Sequence, residues 1–162
     1  MAEPTLVSAS APARRHILRC RAMHVAAASQ LLDVPLPHAA YGTETREGRH
    51  ALWLGPDEWL ILADVLPTPC HDDWAAIGAS LVDVSDRQIG LEISGAAADR
   101  RLASGCPLDL ALAAFPTGAV ARTLFHKAEI ILWRTAETRF RIETWRSFAP
   151  YVTELLNDPA AE

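Results

Sequence analysis

The last third of the chain contains three strand-like segments joined by short connections. Residues 119–125 and 128–134 flank His126-Lys127, which predicts a β-hairpin, and residues 138–144 follow after a short gap. Strands linked this closely pair antiparallel, since a parallel pairing needs a crossover of a dozen or more residues. This feature constrains the fold most strongly, and it favours a largely antiparallel sheet.

The third segment alternates between apolar and charged residues. Phe140 and Ile142 are separated and flanked by Arg139, Arg141 and Glu143. A strand period of two therefore predicts that the apolar pair faces a core and that the charged residues face solvent.

A helix is predicted after this strand, from about Ser147 to Asn157. Phe148, Val152, Leu155 and Leu156 follow the i, i+4, i+7, i+8 spacing of a buried stripe.

Earlier segments mix strands and helices. Residues 16–20 predict a short strand, and the Ala-rich residues 22–32 predict a helix. Residues 51–64 contain two apolar runs around Gly55-Pro56-Asp57, a strong turn signal that predicts two connected strands. Strands and helices mixed in this way, with hairpin-linked strands, indicate the α+β class.

A further helix is predicted to begin at Asp72-Asp73, where acidic residues favour a helix N-terminus. Trp74, Ile77 and Leu81 would then share its buried face.

The apolar pattern changes phase between residues 82 and 93. Val82 and Val84 are on even positions, whereas residues 89–93 carry their apolar side chains on odd positions. Because a period of two cannot change phase without an irregularity, residues 85–87 are predicted to form a bend or bulge. Ser94 is then predicted to cap a helix over residues 96–104.

These elements predict one α+β domain over residues 14–157, with a tail at 158–162. Residues 1–13 are rich in Ala, Ser and Pro, and we interpret them as a disordered lead-in.

The charge distribution excludes some classes of partner. The net charge of −5 argues against a nucleic-acid binder, and no apolar run approaches the ~20 residues of a membrane span. Residues 50–120 carry a net −7, which is either a solvated acidic face or a surface for a basic partner. The odd cysteine count (Cys20, Cys70 and Cys106) without CxxC fits free thiols in the cytoplasm.

No catalytic, cofactor-binding or metal-ligating constellation is predicted on this chain. The eight glycines are too dispersed for a dinucleotide or phosphate loop, and the six histidines form no HxxxH pair. Cys106 is interpreted as a buried, inert thiol. Asp83 and Asp86 are interpreted as turn-forming residues, with ligand contact as the alternative.

Two Trp-Arg pairs stand out at or near predicted strand ends. Trp133, Arg134, Trp145 and Arg146 are our candidate site residues. They either pack in a core with arginines stacked nearby or form a protein interface, where Trp and Arg are enriched.

Five motifs together resemble the gamma subunit of heterotetrameric sarcosine oxidase. They are WLGPDEWLIL (53–62), VDVSDRQIGLEISG (82–95), LASGCPLDL (102–110), FPTGAVARTLFHKAEIILWR (115–134) and ETWRSFAPYV (143–152). The likeness covers about residues 50–156 well and extends weakly to His16. It departs at His126, where that family is expected to have a small residue, often Gly.

The resemblance implies a non-catalytic subunit within a complex of alpha, beta, gamma and delta chains. That complex oxidises sarcosine to glycine, transfers the one-carbon unit to tetrahydrofolate and forms hydrogen peroxide. The resemblance places FAD, FMN, NAD and tetrahydrofolate on partner subunits. It also implies a fold similar to the N-terminal part of folate-dependent aminomethyltransferases, packed against the folate-binding half of alpha. Asp83 to Arg87 is similar to a DxSxxG-like segment of that superfamily, without a complete folate constellation.

Two other functions remain open from the sequence. One is the same subunit in a related N-methyl amino acid demethylase or dehydrogenase complex. The other is a stand-alone folate-binding one-carbon protein, and an unattached interaction domain is a blander third class.

Overall fold

The computed structural model describes residues 5–66 and 71–158, which form ten strands and four α-helices. The strands are β1 (Leu6–Ala9), β2 (Arg14–Arg19), β3 (Thr43–Arg46), β4 (Arg49–Gly55), β5 (Glu58–Ala63), β6 (Ser80–Asp83), β7 (Gln88–Ser94), β8 (Val120–Phe125), β9 (Ala128–Ala136) and β10 (Arg139–Trp145). The helices are α1 (Val25–Leu32), α2 (His71–Ala76), α3 (Ala98–Ala103) and α4 (Ala149–Leu156), and a 3-10 turn (Ala22–His24) precedes α1.

The chain divides into two compact units, and the mixed α+β class is confirmed. One unit lies within residues 12–85, and the other combines the residues before 12 with those from 86 onward. Each unit contains one five-stranded antiparallel sheet, where the sequence analysis expected a single sheet. The prediction of one domain over residues 14–157 stays a prediction.

The unit within residues 12–85 has the strand order β3-β4-β5-β2-β6. The hairpin predicted around Gly55-Pro56-Asp57 is confirmed, with a register shift between Trp53 and Gly55. Pro56 suits this turn because its fixed φ angle presets the chain reversal. Leu18, Trp59 and Ile61 are buried in the core of this unit.

The predicted helix over residues 22–32 is confirmed as the 3-10 turn and α1. It ends because Asp33 adopts a left-handed conformation (φ 51°), and Pro35 follows closely. The helix predicted at Asp72 is also present as α2, and Trp74 is buried.

The prediction that Leu81 extends the buried face of that helix is wrong. Helix α2 ends at Ala76, and Gly78 with a φ of 62° lets the chain reverse. Leu81 therefore lies in β6, opposite Leu18 on β2.

The second unit has the strand order β1-β7-β10-β9-β8. Its core includes Phe140 and Ile142 from β10, Leu102 from α3 and Val152 from α4. The residues of β1 pair with β7, from Leu6 opposite Ser94 to Ala9 opposite Leu91. Leu6–Ala9 thus differ from the disordered lead-in expected over residues 1–13, because backbone pairing with β7 orders a segment whose side chains alone predict no structure.

The phase change between residues 82 and 93 is a passage between two sheets. Strand β6 ends at Asp83 in one sheet, and β7 begins at Gln88 in the other. The predicted bend is confirmed, and the Asp83 Oδ1 atom accepts a hydrogen bond from the Ser85 backbone N–H at 2.8 Å. Asp83 is therefore a turn-forming residue, as the sequence analysis favoured.

The prediction that Ser94 caps a helix is wrong, and so is the prediction that Phe148 belongs to the buried stripe of the last helix. Ser94 is the last residue of β7, and α3 begins at Ala98 after Ala97, which makes no side-chain capping hydrogen bond. Helix α4 begins at Ala149, so Phe148 precedes its first turn and is 40% exposed.

The predicted hairpin at His126-Lys127 is confirmed, and it contacts the segment that follows α3. His126 has a φ of 50°, an unfavourable value for a residue other than glycine. Its backbone N–H donates to the Gly105 carbonyl oxygen at 2.8 Å. A Cβ atom at Gly105 would lie 2.3 Å from the His126 Cδ2 atom, so the imidazole covers the glycine.

We therefore expect Gly105→Ala to lower the free energy of unfolding by about 1 kcal/mol, at the lower end of overpacking costs, because the exposed imidazole can rotate away. His126→Gly should suppress this loss, since it removes the clashing ring and accepts a positive φ. Urea unfolding of both single variants and the double variant measures the coupling. Additive effects of the two substitutions would contradict the proposed clash.

Candidate subunit interface

The register of β10 separates the four candidate residues onto different surfaces. Arg134 lies opposite Phe140, whose side chain is in the core. Trp133 lies opposite Arg141, on the other face of the sheet, and Trp145 shares that face. Arg146 follows the end of β10. Since Arg141 and Trp145 are four residues apart, the two tryptophans are separated by roughly 13 Å along the strand direction.

Arg134 is a core residue that holds a loop. Its side chain is 2% exposed, and its Nη2 atom donates to the Leu110 carbonyl oxygen at 2.6 Å. The guanidinium carbon lies 4.5 Å from the centre of the Phe140 ring. Burial lowers the pKa of the Arg134 guanidinium, and the attraction of Asp99 and Glu137 partly opposes this shift. Arg134 therefore realises the core-packing alternative, with its guanidinium stacked on an aromatic ring.

The face shared by Trp133 and Trp145 carries a buried ion pair. The Arg141 Nε atom donates to the Glu143 Oε1 atom at 2.7 Å, and Glu143 is 2% exposed. The prediction that Glu143 faces solvent is wrong, because a strand period of two distinguishes the faces of a sheet but does not show which faces are covered. Trp133 is half-buried on this face, opposite Val120 of β8.

An exposed corner forms where β10 meets α4 and β7 begins. We define the Trp145 corner as Arg87, Trp145, Arg146 and Phe148. The indole of Trp145 is 43% exposed, and the Arg87 guanidinium carbon lies 5.3 Å from the ring centre. This distance is within the range of cation–π attraction.

Backbone hydrogen bonds hold the corner in place. The Arg146 N–H donates to the Arg87 carbonyl oxygen at 2.8 Å, and the Phe148 N–H donates to the Trp145 carbonyl oxygen at 2.9 Å. Sequence reasoning missed Arg87 and Phe148. Arg87 is distant in the chain and becomes a neighbour only through the pairing of Trp145 with Gln88.

Two of the three cysteines lie within the described residues, and both are buried free thiols. Burial, reinforced by the negative charge of Asp57, raises the pKa of the Cys20 thiol. The Cys106 Sγ atom lies 4.0 Å from the Thr123 hydroxyl oxygen. Cys70 lies outside the described residues. Residues 5–66 and 71–158 contain no group of three or more His, Cys, Asp or Glu residues arranged for a metal ion.

A cleft of about 400 Å³ lies beside the end of α1. Its charged residues, Asp33 and Arg46, form an ion pair at 3.3 Å, and Arg49 also pairs with Asp33 at 2.8 Å. The cleft is thus lined by residues whose charges already compensate one another.

His16 forms a weak, partly buried pair with Asp83. The His16 Nε2 atom is 3.7 Å from the Asp83 Oδ2 atom, and the buried Nδ1 atom has no hydrogen-bond partner among the described residues. Burial lowers the pKa of His16 despite the attraction of Asp83. Hydrogen bonds from Ser85 lower the pKa of Asp83.

These geometries identify no catalytic centre, and the comparisons with known proteins decide the family. A model of the sarcosine oxidase gamma subunit family matches residues 20–162. The chain belongs to the sarcosine oxidase gamma subunit family. No helix among the described residues is long and apolar enough to cross a membrane.

Relatives support the same family. The chain is 34% identical over 119 residues to the sarcosine oxidase subunit gamma of Corynebacterium sp. strain P-1, which is 72% of this chain and 59% of that protein. It is 33% identical over 119 residues to the subunit gamma from Arthrobacter sp., with 72% of this chain and 59% of that protein covered. The chain thus spans about three fifths of the length of these relatives.

Solved structures agree with the fold. A chain of the heterotetrameric sarcosine oxidase from Corynebacterium sp. U-96, solved with pyrrole 2-carboxylate, matches with a TM-score of 0.84 and 28% identity. The match covers 94% of this chain and 81% of that chain. The glycine cleavage system aminomethyltransferase T from Bartonella henselae matches with a TM-score of 0.67 and 14% identity, over 97% of this chain and 46% of that one. The expected likeness to the aminomethyltransferase fold is confirmed.

We expect Arg134→Met to lower the free energy of unfolding by about 1–3 kcal/mol, because the Leu110 carbonyl loses a charged donor in a buried setting. Arg100→Met, at an exposed position of α3, is the matched control and should change stability by less than about 0.5 kcal/mol. Denaturant unfolding checks both values. A control-sized effect of Arg134→Met would show that the contact to Leu110 contributes little to stability.

The burial of His16 and the hydrogen bonds from Ser85 to Asp83 predict a loss of stability on acidification. The folded-state pKa of His16 is below its unfolded value, so the unfolded chain binds a proton first as the pH falls through about 6.5. Stability therefore decreases from that pH down to the folded pKa. Asp83, with its lowered pKa, contributes stability above its unfolded value that is lost at still lower pH.

His16→Gln should flatten the decline in stability as the pH falls below about 6.5, the unfolded-state pKa of histidine. His38→Gln, at an exposed histidine, is the control for the chemical change itself. Urea midpoints at several pH values give the measurement. A profile of His16→Gln parallel to the wild type would contradict the assignment.

Proposed function

We propose that this chain is the non-catalytic gamma subunit of a heterotetrameric sarcosine oxidase. The observation that carries the proposal is its likeness to a chain of the Corynebacterium sp. U-96 enzyme, which extends over nearly the whole of this chain. The family match over residues 20–162 supports the same conclusion. Its partners are then the alpha, beta and delta subunits of that complex, in the cytoplasm.

The chemistry of the complex takes place on the partners. The parent activity is the oxidative demethylation of sarcosine to glycine, with the one-carbon unit passed to tetrahydrofolate and hydrogen peroxide formed. FAD, FMN, NAD and tetrahydrofolate belong to the partner subunits in this proposal. The described residues of this chain contribute packed sheets instead, with the Arg141–Glu143 ion pair and the hydrogen bond from Arg134 to the Leu110 carbonyl.

The role of this chain is to stabilise the folate-binding half of the alpha subunit. Its sheets have hydrogen-bonded registers and apolar cores, so it presents a preorganised surface at low entropic cost. Docked beside the folate-binding half, this chain would hold the path of the reactive imine intermediate in place.

Co-expression with the neighbouring open reading frames tests this proposal. A tag on this chain is expected to recover a yellow complex that contains two large subunits and oxidises sarcosine. Recovery of this chain alone would contradict the proposal. The matched preparation without this chain should show a lower melting temperature and reduced folate-coupled turnover, and unchanged values of both would exclude the stabilising role. Tight tetrahydrofolate binding by the isolated chain would favour a stand-alone one-carbon protein.

A further inference from the structure

The Trp145 corner combines exposed aromatic rings with a fixed backbone. Trp145 and Phe148 are 43% and 40% exposed, although both residues lie at the junction of a central strand and a helix. Hydrogen bonds from Arg146 to Arg87 and from Phe148 to Trp145 fix the backbone beneath them. Large aromatic side chains on a rigid support provide contact area with little loss of conformational entropy on binding.

The arginines of this corner differ from two arginines of β10, Arg139 and Arg141, which form ion pairs. Arg139 and Arg141 pair with Glu92 and Glu143. No carboxylate within residues 5–66 or 71–158 lies at ion-pair distance from Arg87 or Arg146. The corner therefore presents two cationic groups whose charge is not compensated by the described part of the chain.

The charge of the corner selects among possible occupants. In a symmetric dimer whose two-fold axis passes through the corner, arginines would lie against arginines. Like charges placed opposite each other disfavour such a contact. A surface with carboxylates complements both guanidinium groups, since arginine recognises carboxylates with a planar fork of donors.

We propose that the Trp145 corner docks onto another subunit of the complex, at a surface where Asp or Glu carboxylates flank an apolar recess. The indole and the phenyl ring fill the recess, and Arg87 and Arg146 pair with the carboxylates. This inference rests on the proposed function. It replaces the four candidate residues of the sequence analysis by the Trp145 corner and leaves out Arg134, because that residue is in the core.

Cross-linking can identify the carboxylates directly. Lys127 is the chain's one lysine. Arg146→Lys therefore adds a second lysine to the chain, located at the corner, and keeps the positive charge there. A water-soluble carbodiimide joins an amine to a carboxylate in contact with it, and mass spectrometry of the co-expressed complex locates the new amide. We expect a cross-link from position 146 to an Asp or Glu of another subunit. Arg100→Lys, exposed on α3, is the control and should give no such product.

Charge reversal tests whether the contact supports assembly. Arg87→Glu with Arg146→Glu should weaken subunit binding at least about tenfold, as expected for an interface hot spot. Trp145→Ala should act in the same direction. Arg100→Glu and Leu112→Ala, exposed elsewhere in the same unit, are the controls for charge and for apolar area. Circular dichroism and the unfolding midpoint of each variant separate lost binding from lost folding.

The outcomes distinguish this inference from the proposed function. Failure of the wild-type chain to recover other subunits overturns both. A wild-type complex that the corner variants leave unchanged overturns the docking surface alone. A cross-link from position 146 to a second copy of this chain also overturns it, in favour of self-association.

Discussion

The antiparallel register of β10 is the constraint on which the rest of the second unit depends. This strand pairs with β7 on one side and β9 on the other. Its register therefore determines which side chains of all three strands face the core. A shift by one residue would move Phe140 and Ile142 out of the core and bring Arg139 and Arg141 into it. The apolar residues of β10 exclude that alternative, and the position of every Trp-Arg candidate follows from the register.

Buried charge in this unit is matched by local partners. Arg134 donates to a carbonyl and lies against Phe140, and Glu143 pairs with Arg141. Removing one partner of such a contact leaves a desolvated group, which costs more than the contact itself contributes. These residues are therefore explained by folding. The folding of this unit does not explain the exposed arginines of the Trp145 corner, and this difference separates the Trp133-Arg134 pair from the Trp145-Arg146 pair, because Arg134 is buried and Arg146 is exposed.

Local chemistry explains which parts of the fold were predictable. The turns at Gly55-Pro56-Asp57 and His126-Lys127 combine turn-forming residues with flanking apolar runs, so both hairpins were found in the sequence. The bend at residues 85–87 was found because the apolar phase changes there. Its consequence was not predictable, since the assignment of β6 and β7 to different sheets depends on partners far along the chain.

The candidate site was predicted in part for the same reason. Trp145 and Arg146 were singled out by residue type, and they lie together at an exposed corner. Arg134 also follows a tryptophan, but its side chain lies on the core face of the sheet, opposite to the face that carries Trp145. Arg87 is next to Trp145 only because β7 pairs with β10, and no short sequence motif predicts that pairing. Composition therefore identified the residues suited to an interface, and the strand pairing determined which of them are accessible.

The likeness to aminomethyltransferase T concerns the fold, so the function of this chain has to be inferred from its surface residues. At 14% identity the two chains share a fold, and a shared fold does not transfer an activity. Core positions such as Phe140 and Val152 are replaceable by other apolar residues that preserve the same sheet and helices. Exposed aromatic rings beside uncompensated arginines contribute little to a core of this kind. The docking proposal explains their placement, because a partner that covers the corner would bury these rings.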